Sequence, residues 1–84
     1  METRIIGINI RQRSNEASQL QNILTKYGCN IKTRLGLHEV TDNVCSTTGI
    51  ILLEVIGQTA DMDNLEKELK EIAGYEIQRM IFNQ

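Results

Sequence analysis

The run Ile50-Ile51-Leu52-Leu53-Glu54-Val55-Ile56 constrains this chain more than any other, because it is apolar at every position but Glu54. Alternate residues of a strand point to opposite faces, so a strand apolar on both must be covered on both and belongs inside a sheet. Its inward side chains are expected to be Ile51, Leu53 and Val55. Ile50, Leu52 and Ile56 then lie on the opposite face.

The flanking sequence supplies the elements around it. From Arg4 to Arg11, Ile6, Ile8 and Ile10 alternate with Ile5, Gly7 and Asn9, the period of a half-buried strand. Ser14 and Asn15 are helix-capping residues, and Ala17, Leu20, Ile23, Leu24 and Tyr27 follow at spacings of three and four, which predicts an amphipathic helix stopped by Gly28. Alternation returns at Ile31, with Ile31, Thr33, Leu35 and Leu37 on one side and Lys32, Arg34, Gly36 and His38 on the other. Asp42-Asn43 and Ser46-Thr47-Thr48-Gly49 mark the loop of a long hairpin. Thr59 or Asp61 is expected to cap a second helix with the apolar stripe Met62, Leu65, Leu69 and Ile72, leaving Asp63, Glu66, Lys67, Glu68, Lys70 and Glu71 toward water. Gly74 ends that helix, and Tyr75 to Phe82 reads as a last strand. The order strand, helix, strand, strand, helix, strand is that of an α+β, ferredoxin-like βαββαβ unit, a four-stranded antiparallel sheet with both helices on one face.

Residues 1–84 are expected to form a single domain, because so short a chain buries one modest core. Such a core gains from self-association. The face without helices would carry Ile50, Leu52, Ile56, Met80 and Phe82, joined by Ile5, and an apolar patch of that kind predicts a homo-oligomer, a dimer or tetramer, or a further protein partner. No apolar run is long enough to span a bilayer and the first residues lead straight into a strand, so a cytoplasmic protein without membrane association is expected. Residues 1–40 carry six bases and three acids, and residues 41–84 three bases and eight acids, which together give the net charge of −2. That balance is too mild for nucleic-acid binding by this chain alone. Two cysteines sixteen positions apart are expected to be reduced thiols.

The segment Leu24-Thr25-Lys26-Tyr27-Gly28-Cys29-Asn30-Ile31 resembles the turn after the first helix of ACT-type regulatory domains. With the opening Met1-Glu2-Thr3-Arg4-Ile5, the motif Arg34-Leu35-Gly36-Leu37-His38-Glu39 and the apolar third strand, the whole chain resembles small stand-alone ACT-like regulators of the iron-only hydrogenase system. The resemblance implies a ferredoxin-like fold, an oligomer, and a regulatory or sensing role in bacteria near hydrogenase maturation or related metabolism. One departure stands out: ACT domains that bind amino acids commonly have an Asp-x-x-Gly-like turn after the first strand, where this chain has Arg11-Gln12-Arg13-Ser14.

Two candidate sites follow from the residues. His38, Glu39, Asp42 and Cys45, around the hairpin tip, offer nitrogen, oxygen and sulfur ligands to a metal or small ligand; the regulatory domain of the nickel-responsive repressor, of related fold, binds metal between subunits. Their spacing is that of no diagnostic motif, one thiolate and one imidazole need a second chain to complete a tetrahedral site, and the alternative is a solvated tip. No cofactor is required by the sequence. Arg11, Arg13 and Ser14, at the start of the first helix, form a candidate anion site, where free amides and the helix dipole favour negative charge. Cys29, between helix and strand, is expected to be a small buried hydrophobe. Arg34 and Glu54 are expected to pair across strands. Cys45 with His38 lacks an orienting third group for thiol catalysis, so an enzyme is not expected. The expected function is an oligomeric sensor with a ligand or metal at an interface; the alternative is an interaction or assembly module without ligand.

Overall fold

Alternation in the first ten residues produces β1 (Glu2–Ile10), which buries Ile6 and Ile8 completely. The computed structural model describes residues 1–10, 16–41, 44–72 and 74–84, with the backbone alone for 16–17, 37–41 and 44–48. After β1 come α1 (Glu16–Lys26), a 3-10 turn (Gly28–Asn30), β2 (Ile31–Thr41), β3 (Val44–Val55), α2 (Thr59–Lys70) and β4 (Glu76–Asn83). The strands form one antiparallel sheet in the order β2-β3-β1-β4. This is the βαββαβ ferredoxin-like arrangement, and β3 lies inside it beside β1.

The register decides which side chains meet. Ile6 lies opposite Leu53 and Ile8 opposite Ile51, while Ile5, Gly7 and Asn9 lie opposite Glu54, Leu52 and Ile50 on the other face. Leu53, Val55, Ile6 and Ile8 pack with Leu20 and Leu24 of α1 and with Met62, Leu65 and Leu69 of α2. Each fully buried aliphatic side chain contributes roughly 1.5–3 kcal/mol relative to exposure. The two helical stripes therefore roof one face of the sheet.

Several local expectations are corrected. The hairpin is longer than its loop residues suggested: β2 and β3 run to Thr41 and Val44, pairing His38 with Gly49 and Val40 with Cys45. β-branched Val40, Thr41, Val44, Thr47 and Thr48 fit a pleated strand, and this outweighs the turn signal of Ser46 to Gly49. A register irregularity between Ile31 and Thr33 breaks the alternation, so Ile31 packs on the core opposite Val55 while Thr33 and Leu35 take the other face. Neither Thr59 nor Asp61 caps α2; Gln58 takes the cap position in extended conformation without a side-chain bond, and Asp61 sits in the first turn, where its charge suits the dipole. Gly28 needs no left-handed backbone, because the chain passes from α1 directly into the 3-10 turn.

Glycine is required instead at Gly57. Its φ is +110°, and an added Cβ would lie 2.4 Å from Asn30 Nδ2. That amide donates to the Ile56 carbonyl at 3.1 Å, and Ile56 N–H donates to the Asn30 carbonyl at 2.8 Å, so Asn30 clasps the exit of β3. The helices are tied at Glu68, whose carboxylate accepts from Tyr27 Oη and from Lys26 Nζ at 3.0 Å.

Gly57→Ala is expected to cost about 1–3 kcal/mol, read from the urea midpoint, since it combines a strained φ with a clash at Asn30. The Tyr27 hydrogen bond and then Lys26 hold the Glu68 carboxyl below its ordinary value of 4.5. A depressed folded value means that this stabilisation is complete above the unfolded pKa and is lost as pH falls through the folded one. Thermal unfolding between pH 6 and pH 3 should therefore lose stability less steeply in Tyr27→Phe than in the parent.

Candidate functional site

Outside the core lie two features with chemical or binding potential. The first is the sheet face that the helices leave open. Register places Leu35 beside Leu52, Ile5 beside Met80 and Thr3 beside Phe82 there, with Ile50 opposite Asn9. Leu35 is 50% exposed, Ile50 43%, Met80 56% and Phe82 48%, whereas Leu52 and Ile56 are half-buried. The five residues expected on this face thus include three large exposed apolar groups, and Leu35 adds a fourth. Polar groups border them: Thr33 Oγ1 donates to Glu54 at 3.0 Å, and Asn9 donates to Glu76 at 3.3 Å.

The second feature is a buried ion-pair cluster that periodicity did not foresee. Glu66, expected to face water, is buried on α2 and holds two arginines. Arg4 Nη1 donates to Glu66 Oε2 at 2.5 Å and Arg79 Nη1 to Oε1 at 2.7 Å. Arg4, itself buried, also pairs with Glu2 at 2.5 Å and with Asp63 at 2.8 Å. Burial alone would lower the Arg4 pKa, but bonds to Glu2, Asp63 and Glu66 outweigh it and raise the value above the ordinary one. With every charge partnered, the cluster ties β1, α2 and β4 together. Beside it lies an open groove of about 370 Å³ lined by three acidic groups, Asp63, Glu66 and Glu71, and three basic ones, Lys67, Lys70 and Arg79. The one sequence signal for this cluster was an arginine at an inward position of β1, where only an opposite charge makes burial tolerable.

Other expected site residues fare differently. His38, Glu39 and Cys45 lie on paired strands, Glu39 within the irregularity between His38 and Val40, but their side chains fall outside the described residues. Asp42, Arg11, Arg13 and Ser14 also fall outside them. Among the described residues no group of three His, Cys, Asp or Glu side chains is placed to hold a metal. Cys29 is exposed, not buried, because the 3-10 turn carries it away from the core. Arg34 does not pair with Glu54: Arg34 lies opposite Leu53 on the helix side and donates to Gln21 of α1 at 3.3 Å, whereas Glu54 lies opposite Thr33 on the open face. The irregularity at Lys32 puts the two charges on opposite sides. No helix among the described residues is long and apolar enough to cross a membrane.

Removing Glu66 leaves Arg4 buried and short of a partner, so Glu66→Ala should cost about 3 kcal/mol in urea unfolding. Asp63, 59% exposed at its side chain, should matter little, with Asp63→Ala costing less than about 1 kcal/mol. Replacing both charges by apolar groups, as Arg4→Met with Glu66→Leu, should recover most of the loss.

No family model and no curated protein matches the chain. Solved structures do. An uncharacterized protein from Thermotoga maritima superposes with a TM-score of 0.82 at 19% identity, over 99% of this chain and 100% of its own. The ACT domain of a GTP pyrophosphokinase from Chlorobium tepidum gives 0.59 at 19% identity, over 93% and 96%. A nitrogen regulatory PII-like protein from Thiomonas intermedia, bound to ADP, AMP and bicarbonate, gives 0.52 at 11% identity, over 100% and 96%. At such identities the likeness is one of fold, and the chain is a ferredoxin-like domain whose structural neighbours include ACT and PII-like regulatory domains.

Proposed function

We propose that this protein is a non-enzymatic, ACT-like regulatory module that works as a homo-oligomer and binds a small ligand or metal at a subunit interface. The observation that carries the reading is the open sheet face. Leu35, Ile50, Met80 and Phe82 are exposed together on it, an arrangement that costs a lone subunit solvation and rewards a partner. A ligand acts in such a module by favouring one assembly over another, which requires only a difference in affinity between the two. The ACT and PII-like neighbours support that reading, and the nucleotides and bicarbonate held by one of them suggest the first ligands to try. The His38 to Cys45 hairpin end is the proposed metal position, completed by a second subunit. Resemblance to regulators of the iron-only hydrogenase system supplies the proposed setting, a bacterial cytoplasm.

The test combines assembly with ligand binding. Sedimentation at micromolar protein should give a dimer or larger species, and Ile50→Lys should weaken it while leaving the far-UV circular dichroism unchanged. Thermal shift and native mass spectrometry against zinc, nickel, iron(II), amino acids, adenine nucleotides and bicarbonate should find one stabilising species. If that species is a metal, His38→Ala and Cys45→Ala should abolish its effect. An oligomer stabilised by none of these probes would instead favour an assembly module without ligand, and a monomer stabilised by none would end both readings.

A further inference from the structure

The two edges of the sheet are unlike. β2 carries two register irregularities against its neighbour, with exposed Lys32 in the first of them and exposed Arg34 just after it, features that discourage strand addition. β4 has neither bulge nor proline. It keeps one register with β1 over eight residue pairs, from Glu2 opposite Asn83 to Asn9 opposite Glu76. Near its end Met80, Ile81 and Phe82 are all exposed, and they do not share a face. Met80 and Phe82 lie opposite Ile5 and Thr3 on the open side, whereas Ile81 lies opposite Arg4 on the helix side. A partner stacked on the open face would leave Ile81 in water. Only a partner beside the strand covers both faces at once.

The hydrogen-bond phase of β4 follows from its terminal pair. Met1 N donates to the Gln84 carbonyl and Gln84 N–H to the Met1 carbonyl, each at 2.7 Å. In an antiparallel ladder such doubly bonded pairs alternate with unbonded ones, so residues 78, 80 and 82 turn their amide groups toward β1. Ile77, Arg79, Ile81 and Asn83 turn theirs outward, to a side where no further strand lies among the described residues.

We propose that this edge pairs with the β4 edge of a second copy, antiparallel about a twofold axis, with Ile81 opposite the partner's Ile81. That register sets Met80 opposite the partner's Phe82, so apolar groups meet on both faces, and Arg79 meets the partner's Asn83. Centring the axis on Arg79 would oppose two guanidinium groups, and centring it on Met80 would set Ile81 against Arg79. The sequence Arg79-Met80-Ile81-Phe82-Asn83 is thus self-complementary about Ile81 in polarity as well as in hydrogen bonding. Two four-stranded sheets become one of eight strands, and the open faces of both copies become continuous. The inference rests on the reading of this protein as an oligomer but assigns a different surface from the face carrying Ile50.

Two measurements test it in the full chain. Ile81→Pro removes an outward N–H that β1 does not use, so the circular dichroism should persist while dimer affinity, measured by sedimentation, falls by about tenfold or more. In a Cys29→Ser, Cys45→Ser background, Ile81→Cys should form a disulfide-linked dimer under mild oxidation, because facing Cα atoms in such a pair lie about 5.5 Å apart. Asn83→Cys should not, since its copies would be about 14 Å apart. A dimer lost in Ile50→Lys but kept in Ile81→Pro would overturn edge pairing and leave the face reading intact. Faster cross-linking of the Asn83→Cys variant than of the Ile81→Cys variant would overturn the register, and a wild-type monomer would overturn both interfaces.

Discussion

Two helices of eleven and twelve residues can roof only one side of a four-stranded sheet, and that coverage limit organises the rest of the molecule. On the roofed side, Ile6, Ile8, Leu53 and Val55 lose all contact with water. On the other side, the same strands must present whatever their alternate positions hold. β3 is apolar there too, at Ile50 and Leu52, so the sheet cannot be satisfied by its own helices. The charges obey the same limit. Arg4 points to the roofed side of β1 near its start, and burial is tolerable only because Glu66 comes down from α2 to meet it.

Elements and core were legible because they depend on local spacing. The alternation of Ile6 and Ile8, and the recurrence of Met62, Leu65 and Leu69, state a face without reference to the rest of the chain. Glu66 was misread for the same reason: its neighbours Lys67, Glu68 and Lys70 suggest a wet surface, and the arginines that bury it come from the two ends of the sequence. One irregularity at Lys32, which no composition rule marks, separates Thr33 and Leu35 from Ile31 and puts Arg34 and Glu54 on opposite faces. Asn30 shows the opposite case. It stood out only as part of a family resemblance, and its clasp on Ile56, with Gly57 fitted beneath it, supplies a physical reason for an asparagine at that place.

The molecule separates its packed seam from the surfaces it leaves open. The seam of β1, α2 and β4 is held by apolar packing and by charges that satisfy one another. The surfaces that could answer to a partner are the open face and the outer edge of β4, which turns away from β1. A module built this way can change its company without disturbing its core, because the residues that would meet a neighbour contribute little to the packing beneath the helices.

The placement of β1 between β3 and β4 also shapes how the chain folds. β2 and β3 join through a short connection and can zip locally, on the microsecond scale typical of hairpins. β1 finds both of its strand partners later in the sequence, so Ile6 and Ile8 stay unsheltered until β3 is available to pair with them. Pairing β1 with β4 brings Arg4 and Arg79 to Glu66 from widely separated parts of the sequence, and contacts of such long range are topologically slow to form.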